Sequence, residues 1–100
     1  TVLFGVMRDK DWRTMVPLVA EMATEVVVTQ VNQPRAEDPA VLQQAFTSLR
    51  PTRIVTDART ACQRLMAETT ADGALLVCGS LFLVGEVYPI FSPPATSVSV

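Results

Sequence analysis

The strongest constraint on this chain is a change of hydrophobic period repeated along its length. Runs of strand length, rich in Val and Leu, alternate with segments whose apolar residues recur every three or four positions. Residues 2–7 are continuously apolar, and residues 25–29 are mostly β-branched. A short run follows at 53–56, and a last one at 74–78. Between the first two, Trp12, Met15, Val16, Val19 and Met22 fall on one face of a helix. Leu42, Ala45, Phe46 and Leu49 make a second such stripe, and Ala58, Ala61, Cys62 and Leu65 a third. The order is therefore β-α-β-α-β-α-β-α. Strands apolar on both faces and separated by helices specify a parallel sheet covered on both sides, with right-handed crossovers. The expected fold is α/β, a Rossmann-like three-layer domain with a mainly parallel sheet and helices on both faces.

Punctuation sets the boundaries. Asp11, Asp38 and Asp57 are placed to cap the three helices, and Pro39 occupies the first position of the second. Pro17 lies inside the first helical stripe and predicts a kink or an irregular first turn. Gly79-Ser80 reads as a turn into a final helical segment ending at Tyr88. No charge follows Glu86, and Pro89, Pro93 and Pro94 break what remains. Residues 1–88 are expected to form the domain and residues 89–100 a loose tail.

Composition removes several classes of function. One hundred residues make one domain, and 49% apolar with 18% charged residues excludes intrinsic disorder. A net charge of −2 with no basic run leaves no footprint for nucleic acid or for an anionic membrane surface. No apolar run reaches the roughly 18 residues that span a bilayer, and Arg8 to Asp11 interrupt the front too early for a signal peptide. Cys62 and Cys78 cannot build a disulfide framework, so a cytoplasmic, reducing setting is expected. Both thiols read as core, not nucleophiles. Histidine is absent, which excludes imidazole chemistry. Nucleotide-binding glycine loops, C-x-x-C and G-x-S-x-G are absent too, so no catalytic residue is expected in this segment. No metal site is expected either. A start at Thr1, directly in a strand-like run, suggests a piece of something longer.

In an open parallel sheet, ligands bind outside the carboxyl ends of the strands. Three segments reach that edge: Arg8-Asp9-Lys10-Asp11, Asn32-Gln33-Pro34-Arg35 and Gly79-Ser80. Each has a local explanation. Asp11 and Ser80 can cap helices, Arg8 and Lys10 can be solvated, and Arg35 can pair with Glu37 or Asp38. The functional alternative has Lys10, Arg35 and Ser80 converge on one anion, supported by Asp9, Asp11 and Asn32. An ammonium, a bidentate guanidinium and a hydroxyl at a helix N-terminus suit a carboxylate-bearing ligand.

Three motifs carry a family resemblance. Phe4-Gly5-Val6-Met7-Arg8-Asp9-Lys10-Asp11 resembles the F-G-x-x-x-D-K-D segment of folylpolyglutamate synthases and their dihydrofolate synthase relatives. Asn32-Gln33-Pro34-Arg35-Ala36 is similar to their N-x-P-R-A loop, with Gln33 in place of the usual Asn or Pro. Val77 to Glu86 resembles their closing T/C-G-S-L-Y/F-L-V-G-E signature. The motifs occur in order across residues 3–87 and together resemble the C-terminal domain of the Mur ligase superfamily, folate branch.

The resemblance implies an ATP-dependent amide ligase that adds L-glutamate to folate or dihydropteroate through an acyl phosphate. It implies that ATP and Mg²⁺ bind mainly on a central domain of the same polypeptide, which this C-terminal domain closes over. It also implies glutamate-binding roles for Lys10, Arg35 and Ser80. The family's histidine-bearing G-A-H-N-P segment would lie upstream of Thr1, with at least one further strand and helix, so the fragment alone is expected to be inactive. Two alternatives remain at this point: another Mur-type amino-acid ligase, or a free-standing α/β binding module.

Overall fold

The computed structural model describes residues 1–91. It contains β1 (Val2–Phe4), α1 (Met15–Met22), β2 (Val26–Gln30), α2 (Pro39–Thr47), β3 (Thr52–Asp57), α3 (Ala58–Glu68), β4 (Leu76–Cys78) and α4 (Leu81–Phe91). The strands form one sheet in the order β3-β2-β1-β4, with every pair parallel.

Side-chain alternation along the two central strands builds a core on each face. Val2, Phe4, Val26 and Val28 point to one side and are sealed by Val16, Val19 and Ala20 of α1 and Leu42 and Phe46 of α2. The Phe4 and Phe46 rings meet edge to face, 5.1 Å apart. Leu3 and Val27 point to the other side, against Ala58, Ala61, Cys62 and Leu65 of α3 and Leu83 and Val87 of α4. The three-layer α/β architecture read from the hydrophobic pattern is the one observed. No described helix is long and apolar enough to cross a membrane.

The departures are local. α1 begins at Met15, and Asp11 does not cap it: the Asp11 carboxylate accepts a hydrogen bond from the Thr14 hydroxyl at 2.8 Å instead. The late start puts Pro17 in the first turn, where a backbone N–H would have no helical partner, so the ring costs the helix nothing. In so short a helix the buried stripe is Val16, Val19 and Ala20, while Met22 is 65% exposed. Leu49 lies beyond the end of α2 and is also exposed.

β4 is shorter than expected and lies at a sheet edge, with a neighbour on one side only, so Leu76 is exposed and Cys78 only half-buried. α4 continues through Pro89 to Phe91, three residues past the expected end at Tyr88. Pro89 has no N–H to donate to the Gly85 carbonyl, yet the helix carries on with Leu83 and Val87 buried below it. The expected tail therefore begins inside a helix, and its residues 92–100 lie outside the described residues.

Two of the three expected caps are present. The Asp38 carboxylate accepts from the Ala40 N–H at 2.9 Å, with Pro39 at the first helical position. The Asp57 carboxylate accepts from the Thr60 hydroxyl at 2.6 Å and the Thr60 N–H at 2.9 Å. Those two bonds, the hydroxyl first, hold the Asp57 carboxyl below the usual aspartate range. Because the folded-state value is depressed, the stabilisation is complete above the unfolded value near 4 and fades as pH falls through the folded value. Asp57→Ala should thus cost about 1 kcal/mol at pH 7. Urea denaturation of both proteins at pH 7 and pH 3 should show that difference shrinking in acid.

Candidate functional site

The chain leaves β1 for β2 by way of α1 on one face and arrives at β4 by way of α3 on the other. β1 and β4 are nonetheless neighbours, so the connections diverge there and open a crevice at their carboxyl ends. The exit from β4 runs tight against the exit from β1. Gly79 has φ +114°, and a Cβ there would stand 2.5 Å from the Gly5 carbonyl oxygen, so only glycine fits. Ser80 follows at once and is buried, and its hydroxyl oxygen accepts from the Phe82 N–H at 3.1 Å. Ser80 therefore caps α4, as its local chemistry suggested. One hydroxyl proton remains available to a ligand.

The loops after β1 and β2 are pinned to each other. Met7 and Ala36 form an isolated antiparallel bridge, the Arg8 N–H donates to the Arg35 carbonyl at 2.7 Å, and the Glu37 N–H donates to the Val6 carbonyl at 2.8 Å. This pairing sets the Arg35 guanidinium 3.0 Å from the Asp9 carboxylate. Both side chains are more than half exposed, so the pair is weak and exchangeable. The partners considered from sequence are otherwise engaged. Glu37 accepts from the Trp12 indole at 3.3 Å and from the Asp38 N–H at 2.9 Å, and Asp38 caps α2.

A cleft of about 320 Å³ lies between these loops and the start of α4. Asp9, Lys10, Arg35 and Ser80 line it, with Met7, Leu81 and Phe82 as an apolar wall. Lys10, Ser80 and Leu81 also border a smaller extension of about 230 Å³ reaching Met15 and Val84. The chain's lone lysine, an arginine, a capping serine and an acid thus share one cavity at the crevice. Such a set can hold a carboxylate through charge-assisted hydrogen bonds, with the N-terminus of α4 adding its own attraction.

Two candidate supporting residues lie elsewhere. Asp11 is absent from the cleft lining and is bonded to Thr14. Asn32 lines a separate hollow of about 640 Å³ with Gln30, Thr56, Asp57, Arg59 and Glu86, and its backbone N–H donates to Glu86. A further hollow of about 470 Å³ opens at the amino ends of the strands around Thr1, Glu25 and Glu68, with no lysine or arginine in its lining. Sequence reasoning offered Glu37 as a partner for Arg35 and not for Trp12, and it passed over Glu86 as an acceptor and the apolar wall of Leu81 and Phe82. Glu86 was visible as the last charge of its motif, but only the fold places it beside Asn32.

The described residues contain no group of three Cys, Asp or Glu that could hold a metal ion. Cys62 and Cys78 face opposite cores and are unpaired, and burial pushes both thiols above their ordinary range, away from the reactive thiolate.

Comparison with known proteins agrees with this fold. The sequence profile of the family described as "Mur ligase, glutamate ligase domain" matches residues 1–81. A Haloferax volcanii protein named "Probable bifunctional folylpolyglutamate synthase/dihydropteroate synthase" is 34% identical over 87 residues, which cover 85% of this chain and 10% of that protein. Among solved structures, E. coli FolC in complex with ADP superposes with a TM-score of 0.79 at 22% identity, covering 90% of this chain and 22% of that one. Mycobacterium tuberculosis folylpolyglutamate synthase complexed with ADP and AMPPCP superposes at 0.76 with 24% identity, covering 91% and 23%. This chain thus spans a small part of each protein it matches, and the solved structures establish likeness of fold. With the profile match extending from the start of β1 into α4, the chain belongs to the Mur ligase, glutamate ligase domain family.

Proposed function

We propose that this domain supplies the amino-acid-anchoring wall of an ATP-dependent ligase that adds L-glutamate to folate or dihydropteroate through an acyl phosphate. The observation that supports it is the convergence of Lys10, Arg35 and Ser80 on one cleft at the sheet's switch point. ATP, assisted by Mg²⁺, supplies the carboxylate activation. Neither is assigned to residues of this chain, whose described part lacks both a phosphate loop and a metal-ligand cluster. The adjoining central domain of the same polypeptide is the proposed partner for both, and no nucleic acid or membrane takes part.

The residues present would bind and orient the acceptor. L-Glutamate carries two carboxylates, which call for two cationic anchors. Arg35 offers a planar fork for one, and Lys10 a mobile ammonium for the other. Asp9 keeps the guanidinium over the cleft until a carboxylate replaces it. Ser80 donates its free hydroxyl proton beside the α4 N-terminus. Holding both carboxylates leaves the α-amine as the group free to attack, which is an orientation effect. The proposed setting is the cytoplasm, where two unpaired cysteines on opposite faces of a sheet would persist as thiols.

In the intact polypeptide, ADP release should require a folate or pteroate together with L-glutamate. Equal release with D-glutamate, diaminopimelate or alanine would exclude the folate assignment. Lys10→Ala and Arg35→Ala should each raise the apparent KM for L-glutamate by roughly 10- to 100-fold, the scale of a lost charge-assisted hydrogen bond. The KM for ATP should change far less. Unaltered glutamate kinetics in both variants would rule out the anion site.

A further inference from the structure

Glu86 stands outside the cleft, yet it holds the loop that carries Arg35. It is half-buried on α4, and its carboxylate oxygen accepts a hydrogen bond of 2.9 Å from the backbone N–H of Asn32, 54 residues earlier in the chain. The Glu86 carbonyl accepts in turn from the Arg59 guanidinium at 3.3 Å, which ties this turn of α4 to α3. Asn32 opens the turn that ends in Arg35. Past Arg35 the loop is pinned to the β1 exit through Arg35, Ala36 and Glu37. At its near end, Val31 is buried in the same core as Leu83 and Val87 of α4. Between these anchors the Gln33 N–H donates to the Val31 carbonyl and Pro34 has no N–H to offer. The Glu86 bond is thus the clasp between the loop's first residue and the helix that Ser80 caps.

We propose that Glu86 is a positioning residue for amino-acid binding: it fixes the Asn32–Arg35 turn to α4 and so sets Arg35 at its distance from Ser80. This rests on the reading of the Lys10, Arg35 and Ser80 cleft as the glutamate site. Glu86 does not line that cleft, so it acts through Arg35 and not by touching the ligand. A carboxylate suits the task because a charged acceptor makes a shorter and stronger bond to a backbone N–H than a neutral one.

The test is a kinetic cycle in the intact enzyme, comparing Glu86→Ala, Glu86→Gln, Arg35→Ala and the double variant Arg35→Ala/Glu86→Ala. Glu86→Ala should raise the KM for L-glutamate roughly 3- to 10-fold, the scale of one net hydrogen bond, with kcat and the KM for ATP little changed. Glu86→Gln keeps an oxygen acceptor and should restore most of the loss. On the Arg35→Ala background, Glu86→Ala should add nothing further. Amide exchange at Asn32 should quicken in Glu86→Ala and not in Glu86→Gln.

An additive double variant would show that Glu86 acts by another route and would overturn the proposal. A Glu86→Ala enzyme with unchanged glutamate KM would also overturn it, while a raised KM in Arg35→Ala left the anion site standing. An unchanged KM in Arg35→Ala and Lys10→Ala would instead bring down the site reading, and the role of Glu86 with it.

Discussion

The proposed site depends on how closely the exits of β1 and β4 approach. Gly79 turns with positive φ directly over the Gly5 carbonyl, at a separation that excludes any side chain. Were the exits further apart, Ser80 and the N-terminus of α4 would move away from the loop that carries Lys10. The contact is made by backbone, so it cannot adjust as a flexible side chain could. It places a buried hydroxyl and a helix N-terminus at the one position in the sheet where the connections diverge.

A second constraint works at the same edge. The β1 and β2 exits would be independent loops were it not for the Met7 and Ala36 bridge and its flanking hydrogen bonds. Backbone pairing of this kind fixes where a side chain begins and leaves its tip in water. Arg35 therefore sits at a defined place while its guanidinium is held only by an exposed carboxylate. A rigid base with an exchangeable tip is what an anion anchor needs, because a fully buried ion pair would resist exchange with a ligand.

The apolar runs of strand length and the period-3.6 stripes were enough to give the element order and a sheet covered on both faces, because both depend on residues adjacent in sequence. The departures lie at the ends and edges of elements. Leu49 fits its helical stripe but lies past the end of α2, and Met22, the last residue of α1, lies off the face buried by Val16, Val19 and Ala20. Residues 74–78 read as a strand buried on both faces, but the same apolar run suits an edge strand of three residues. Asp11 had the chemistry of a cap and lost the position to a later start. The proposed anion site was legible in part. Lys10, Arg35 and Ser80 stood out because each follows a strand, and strand ends meet at one edge. Asn32 follows the same strand as Arg35 and still lies in another hollow, since the turn through Gln33 and Pro34 separates them.

By itself the sequence determined the α/β class, a sheet covered on both faces, the caps at Asp38 and Asp57, and the three loops that carry polar chemistry. These follow from local periodicity and from residues that satisfy their own neighbours' backbone groups. Only the tertiary structure decided the strand order that puts β4 beside β1, the pairing of Arg35 with Asp9, and the reach of Glu86 to Asn32. Those are contacts between residues far apart along the chain. Their partners are chosen by which surfaces remain after the cores have closed, a choice that no local pattern encodes.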